Sequence, residues 1–218
     1  MFEKGKQYFS SERKEMLKFI PQDAKKILDI GCGVGAFAQQ LCSVEREIWG
    51  LEPDQASAVI ASEKLYKVIS GKVEDKLSEL PDHYFDVVVF NDVLEHLLYP
   101  WDILEKVKTK LASNGKLVCS IPNVRYIRNL GHVLVSRDWQ YGDQGILDST
   151  HFRFFTKKSM VNLFQNTHYK ILSITGINPT RSERLKVIYG LVNLFTFFTN
   201  LDIIYLQFVV VASNDTGS

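Results

Sequence analysis

The sequence predicts an α/β protein built on a doubly wound, mainly parallel sheet, and three observations carry that expectation. Short runs rich in Val, Ile, Leu and Phe recur along the 218 residues, as strands buried on both faces require. Helix-length segments separate them, so successive strands are joined by crossovers rather than hairpins. The first run, Ile27-Leu28-Asp29-Ile30, breaks into the alternating glycines Gly31, Gly33 and Gly35. Such a loop hands backbone N–H groups to a ligand at a helix N-terminus.

Each element follows from local signals. Glu12 to Phe19 has amphipathic helical spacing and stops before Pro21. After strand 1, helices are predicted over Ala36 to Ser43 and over Asp54 to Leu65, the second with Asp54 as N-cap. Strand 2 is Glu47 to Leu51, strand 3 Lys67 to Ser70 and strand 4 Phe85 to Phe90. Pro100 opens a further helix, at the position where its missing N–H is harmless. Ile103, Leu104, Val107 and Leu111 line one face of it, and Asn114-Gly115 closes it. Lys116 to Ile121 is strand 5. Thr156 caps a helix to about Asn166, Tyr169 to Thr175 is a strand, Arg181 to Asn200 a long apolar helix, and Ile203 to Ala212 the last strand.

Two acids stand at strand ends. Asp29, beside the glycine loop, needs a cationic partner if buried, and an α-amino group suits it better than a phosphate. Glu52 ends strand 2, where a carboxylate accepts from two ribose hydroxyls. Residues Gly31 to Ala36 with Glu52 about 20 residues on also satisfy a dinucleotide fingerprint, so these features alone leave two cofactor classes level. The segment Asn91-Asp92-Val93-Leu94-Glu95-His96-Leu97 separates them. It resembles motif IV of the class I S-adenosylmethionine (SAM) methyltransferases, and the glycine loop resembles that family's motif I. A short-chain reductase would need a Tyr-x-x-x-Lys pair, which none of the nine tyrosines provides.

The resemblance implies a Rossmann-like, seven-stranded sheet of order 3-2-1-4-5-7-6 with strand 7 antiparallel. It implies one domain over residues 1–218, SAM as cofactor and S-adenosylhomocysteine as its product. Asp29, Gly31, Cys32, Gly33 and Gly35 would hold the methionine end of the cofactor, and Glu52 with Pro53 the ribose. The adenine would meet the Val73 backbone and Glu74; Lys72 stands where the family usually has an acid. Asn91 and Leu94 would complete the site from motif IV. The N-terminal segment 1–20 would close over the cofactor, with Tyr8 and Arg13 reaching its carboxylate.

Ligands of such sheets sit outside the carboxyl ends of the strands, where the strand order reverses. The stretch from Pro122 to Phe155, with Tyr126, Trp139, Tyr141, Phe152, Phe154 and Phe155, is too long for an ordinary connection and too aromatic for disorder. It is read as a substrate lid inserted after strand 5. Its wording, Ser120-Ile121-Pro122-Asn123-Val124, Arg137-Asp138-Trp139-Gln140-Tyr141 and Gly145 to Thr156, resembles methyltransferases associated with polysaccharide and glycosyltransferase gene clusters. The cofactor half also resembles the quinone-biosynthesis O-methyltransferases. Both imply a small-molecule or saccharide hydroxyl as acceptor.

Methyl transfer to a hydroxyl needs an in-line approach and a base. His151 is the first choice, because it lies on the lid with Asp148 three residues before it to orient the imidazole, and His96 after strand 4 is the second candidate. Asp29 and Glu52, as ordinary carboxylates of pKa ~4, are poor bases beside an imidazole near ~6.5. Arg153 is a candidate for an anionic group of the acceptor. No His and carboxylate spacing points to a metal. A SAM-binding scaffold without catalysis is the alternative from another class.

Composition sets the remaining bounds. A net charge of +1 without a run of like charges gives no footprint for nucleic acid. Cys32, Cys42 and Cys119 form no disulfide or metal pattern, and the polar Met1-Phe2-Glu3-Lys4 start is no secretory signal, so a cytoplasmic protein is expected. Val187 to Phe198 is too apolar to be solvated and too short and interrupted to span a bilayer. It is expected to bury against the sheet, a second subunit in a homodimer, or a membrane surface.

Overall fold

The structure is a computed structural model that describes residues 12–214. Seven strands form one sheet in the order β3-β2-β1-β4-β5-β7-β6. They are β1 (Lys26–Ile30), β2 (Glu47–Glu52), β3 (Lys67–Ser70), β4 (Phe85–Asn91), β5 (Leu111–Pro122), β6 (Tyr169–Pro179) and β7 (Tyr205–Asn214). The first five run parallel, whereas β7 is antiparallel to both β5 and β6. The predicted sheet order and the antiparallel last strand are therefore found.

Alternation along the central strands fills two cores. Val87 and Val89 of β4 join Ile27 and Ile48 on one face, while Val88 and Phe90 join Leu28 and Leu51 on the other. Helices α1 (Ala36–Gln39), α2 (Gln55–Ser62), α3 (Val73–Lys76), α4 (Pro100–Val107), α5 (Ile127–Gly131), α6 (Lys157–Asn166) and α7 (Glu183–Phe195) occupy the connections. Local chemistry accounts for two of their starts. Asp54 accepts from Ser57 N–H at the head of α2, and Thr156 forms a reciprocal capping box with Ser159 at α6.

Several expected boundaries move, each for a tertiary reason. Leu111 is not on the α4 face: α4 ends at Val107, and a 3-10 turn over Lys108–Lys110 leads into β5. The carbonyls of Thr109 and Lys110 are taken by His83 and Tyr84 N–H groups, and Leu111 pairs with Phe85. Sheet pairing thus overrides the helical pattern. The predicted helix over 12–19 is a 3-10 helix at Lys14–Phe19, and α1 is only one turn because Gln40 and Leu41 bond back three residues. β6 runs on to Pro179 because β7 pairs with it that far. α7 stops at Phe195, and Phe197 and Phe198 take left-handed φ of 50 and 58°. The stretch 122–155 also contains α5 and a π-helical turn at His132–Ser136.

Candidate active site

The glycine loop and the two acids form one edge at the carboxyl ends of β1 and β2. Gly31, Gly33 and Gly35 all have positive φ (73, 54 and 76°), and a Cβ at Gly31 would lie 2.6 Å from Val93 Cγ2. Only glycine lets the loop pass there. Glu52 accepts from Gly33 N–H at 2.8 Å through Oε2 and from Asp54 N–H at 2.9 Å through Oε1. Acid, loop and the start of α2 are thereby locked together.

Asp29 is 1% exposed, and its Oδ1 has no hydrogen-bond partner among the described residues. Burial, with the Glu52 charge second, pushes its carboxyl up to about 8. Burial also raises Glu52, against the pull of its two N–H donors. The expectation of two ordinary carboxylates is corrected on both counts, because each is desolvated at a strand end. A buried acid next to a second acid calls for a cation.

A cavity of about 1010 Å³ opens over this edge. Asp29, Gly31, Cys32, Gly33, Glu52 and Pro53 wall one end, and Lys72, Val73 and Glu74 extend it past β3. Asn91, Asp92, Val93, His96, Leu97 and Leu98 form the wall after β4. Gln144, Gly145, Thr150 and Phe152 reach it from the insertion, so only the later part of the expected lid borders it. Both amide atoms of Asn91 are buried without a hydrogen-bond partner among the described residues. Leu94 does not line the cavity; it is fully buried in the core below the loop. Gly35 does not line it either and serves as the N-cap of α1. Tyr8 lies outside the described residues.

Arg13 reaches the cavity rim, where its guanidinium pairs with Asp92 and contacts Ser120 Oγ at 3.0 Å and Glu15 at 2.9 Å. Gln207 Nε2 donates to both Asp92 oxygens at 2.8 Å. Asp92 itself has a left-handed φ of 55°. This knot ties the N-terminal segment to the ends of β4, β5 and β7. Its acid sits directly after Asn91 in the motif, the one signal by which sequence reading could have found it.

On the wall after β4, His96 and His151 meet edge to face with ring centroids 4.5 Å apart. His96 borders the cavity and His151 packs behind it. His96 Nδ1 faces the Thr150 carbonyl at 3.2 Å, and His151 Nδ1 faces the Ile146 carbonyl at 2.9 Å. The carboxylate at His151 Nε2 is Glu95, at 4.0 Å. Asp148 accepts from Thr150 N–H and Oγ1–H at 2.8 and 2.7 Å. Asp148 thereby fixes the turn that carries Thr150 against His96.

Backbone bonds zip this part of the insertion onto the β4 loop. Phe152 and Arg153 N–H both donate to the Glu95 carbonyl, at 2.9 and 3.0 Å. Arg153 is spent structurally, donating through Nε to the Leu98 carbonyl at 3.1 Å and stacking over Trp101. Glu95, His96 and His151 also bring one ligand atom each to within 4.8 Å of one another, the donor types that could hold a metal ion. Sequence spacing hid this set because His151 is remote from the other two along the chain.

A family model described as a methyltransferase domain matches residues 1–174. The chain belongs to that methyltransferase family. The mitochondrial ubiquinone biosynthesis O-methyltransferase of Schizosaccharomyces pombe is 34% identical over 169 residues, covering 73% of this chain and 61% of that protein. The chain therefore spans about three fifths of that relative's length. The ubiquinone biosynthesis O-methyltransferase of Vibrio atlanticus is 26% identical over 191 residues, covering 84% and 75%. A SAM-dependent methyltransferase structure from Archaeoglobus fulgidus superposes with a TM-score of 0.66 at 18% identity, over 95% of this chain and 94% of that one. That likeness establishes the fold. Family and fold together imply SAM as the methyl donor.

Proposed function

We propose that this methyltransferase moves the methyl group of SAM to a hydroxyl of a small molecule or glycan precursor, with His96 as base. The observation that carries the reading is the polarity of the cavity: buried carboxylates at one end, and at the other a wall bearing His96. SAM, when bound, supplies a methyl group already activated on sulfur. Asp29 takes the cofactor's ammonium, Glu52 its ribose, and Val73 with Glu74 its adenine edge. His96 borders the cavity with Nδ1 3.2 Å from the Thr150 carbonyl, and is the side chain placed to take the acceptor's proton. His151 and the buried Glu95 stand behind it to stabilise the resulting imidazolium.

Two acceptor classes are carried forward: hydroxyls of ubiquinone-type precursors, from relatives named as ubiquinone biosynthesis O-methyltransferases, and saccharide hydroxyls, from the wording of the insertion. The test is S-adenosylhomocysteine formation with a panel of both. Acceptor-dependent product from the wild type, lost in His96→Ala with SAM binding kept, supports the reading. SAM binding with turnover of amines alone, or of nothing, returns the chain to N-methylation or to the scaffold alternative.

The donor set of Glu95, His96 and His151 favours one second reading, in which a divalent cation rather than a base activates the hydroxyl. Chelator would then abolish turnover and added Mg²⁺ or Zn²⁺ restore it.

A further inference from the structure

Helix α7 is turned inside out. Its one fully buried residue is Asn193, which donates to the Tyr189 carbonyl at 3.0 Å and accepts from Asn200 N–H at 3.1 Å. Val187, Ile188, Leu191, Leu194 and Phe195 face outward instead, Phe195 with 79% of its surface exposed. Phe197 and Phe198 continue the apolar face, at 88% and 61%. Of the three coverings expected for this stretch, the sheet leaves these side chains exposed. Helix α5 lies against α7, and the π-helical turn that follows α5 exposes Leu134 and Val135 as well. An exposed apolar face of this extent marks a surface for something else.

Charge identifies what covers it. From Val187 to Leu201 the chain carries no ionisable acid or base other than Tyr189, whereas the flanks are basic. Residues 127–137 and 181–200 hold Arg128, Arg137, Arg181, Arg184 and Lys186 against the single acid Glu183, in a chain whose net charge is only +1. We propose that this face docks on an anionic lipid surface, with the phenylalanines among the acyl chains and the arginines at the headgroups. A second copy fits less well. A two-fold contact repeats the same patch on both subunits and would bring both sets of basic residues to one interface. Among the described residues no helix is long and apolar enough to cross a membrane, so α7 lies on the surface rather than spanning it.

Flotation of the full chain with lipid vesicles tests this. Wild-type protein is expected to float with phosphatidylcholine vesicles containing phosphatidylglycerol. Recovery should fall at least ~10-fold on phosphatidylcholine alone, in Phe195→Ser/Phe198→Ser, and in Arg181→Glu/Arg184→Glu. Thermal melts establish that each variant is folded; the charge pair, being fully on the surface, decides if the phenylalanine pair is not. No flotation of the wild type overturns the proposal, as does flotation undiminished by either pair. So does light scattering that shows a dimer dissolved by Phe195→Ser/Phe198→Ser, which would assign the face to a second copy.

Discussion

The backbone N–H of Gly33 donates to Glu52 Oε2 at 2.8 Å, so the loop after β1 and the acid ending β2 are one unit. Glu52→Ala removes the proposed ribose acceptor and also the strut that holds the loop. Affinity for S-adenosylhomocysteine should fall by at least ~1 kcal/mol, and Glu52→Gln should lose less because it keeps one acceptor oxygen. Ligand-induced shifts in melting temperature across a concentration series measure both. Equal affinity in Glu52→Ala and wild type would remove Glu52 from the binding site.

Asp29 makes binding pH-dependent. Its carboxyl, pushed up to about 8, is mostly protonated in the ligand-free protein at pH 7, while the cofactor's ammonium favours the ionised form. Binding should release a proton at pH 7, and affinity should rise as pH approaches 8. Calorimetry in buffers of different ionisation enthalpy counts the protons. A count of zero would mean that Asp29 does not meet the ammonium.

The same shift predicts a stability trade. The unfolded chain ionises Asp29 above its ordinary value of 3.8, whereas the folded chain holds the proton to about 8. The folded state then binds more protons in that window, so Asp29 lowers stability progressively as pH rises through it. Asp29→Asn should melt higher than wild type at pH 8 by at least ~1 kcal/mol, match it near pH 4, and bind SAM poorly. A variant less stable than wild type at pH 8 would show that the carboxylate is satisfied in the free protein.

How far the sequence reaches is visible in these residues. Asp29, the glycines and Glu52 were legible because a strand, a turn and an acid are consecutive in the chain and each has a local physical reason. The sheet order followed from the family resemblance. The Glu95, His96 and His151 cluster was only half legible: both histidines stood out, but Glu95, which brings a carboxylate to 4.0 Å from His151 Nε2, is remote from it along the chain. The Arg13 knot escaped because its partners Asp92, Ser120 and Gln207 come from three strand ends. Helix α7 was legible as apolar, yet its outward face depends on which side Asn193 finds partners.

His96 and His151 should separate kinetically. His96→Ala is expected to lower turnover by ~10²-fold or more, as loss of a general base does, with SAM affinity almost unchanged. His151→Ala and Glu95→Gln, proposed to act through His96, should reduce kcat less and leave KM for the acceptor nearly unchanged. Full turnover in His96→Ala would leave catalysis to positioning alone.

The central claim, that the cavity above Asp29 and Glu52 is a SAM site, is tested most directly by calorimetric titration of the wild-type chain with SAM and, separately, with NADH. A saturable one-to-one isotherm with SAM and no heat with NADH is the expected result. No heat with SAM and a clear isotherm with NADH would contradict it, and would assign the glycine loop and Glu52 to a dinucleotide.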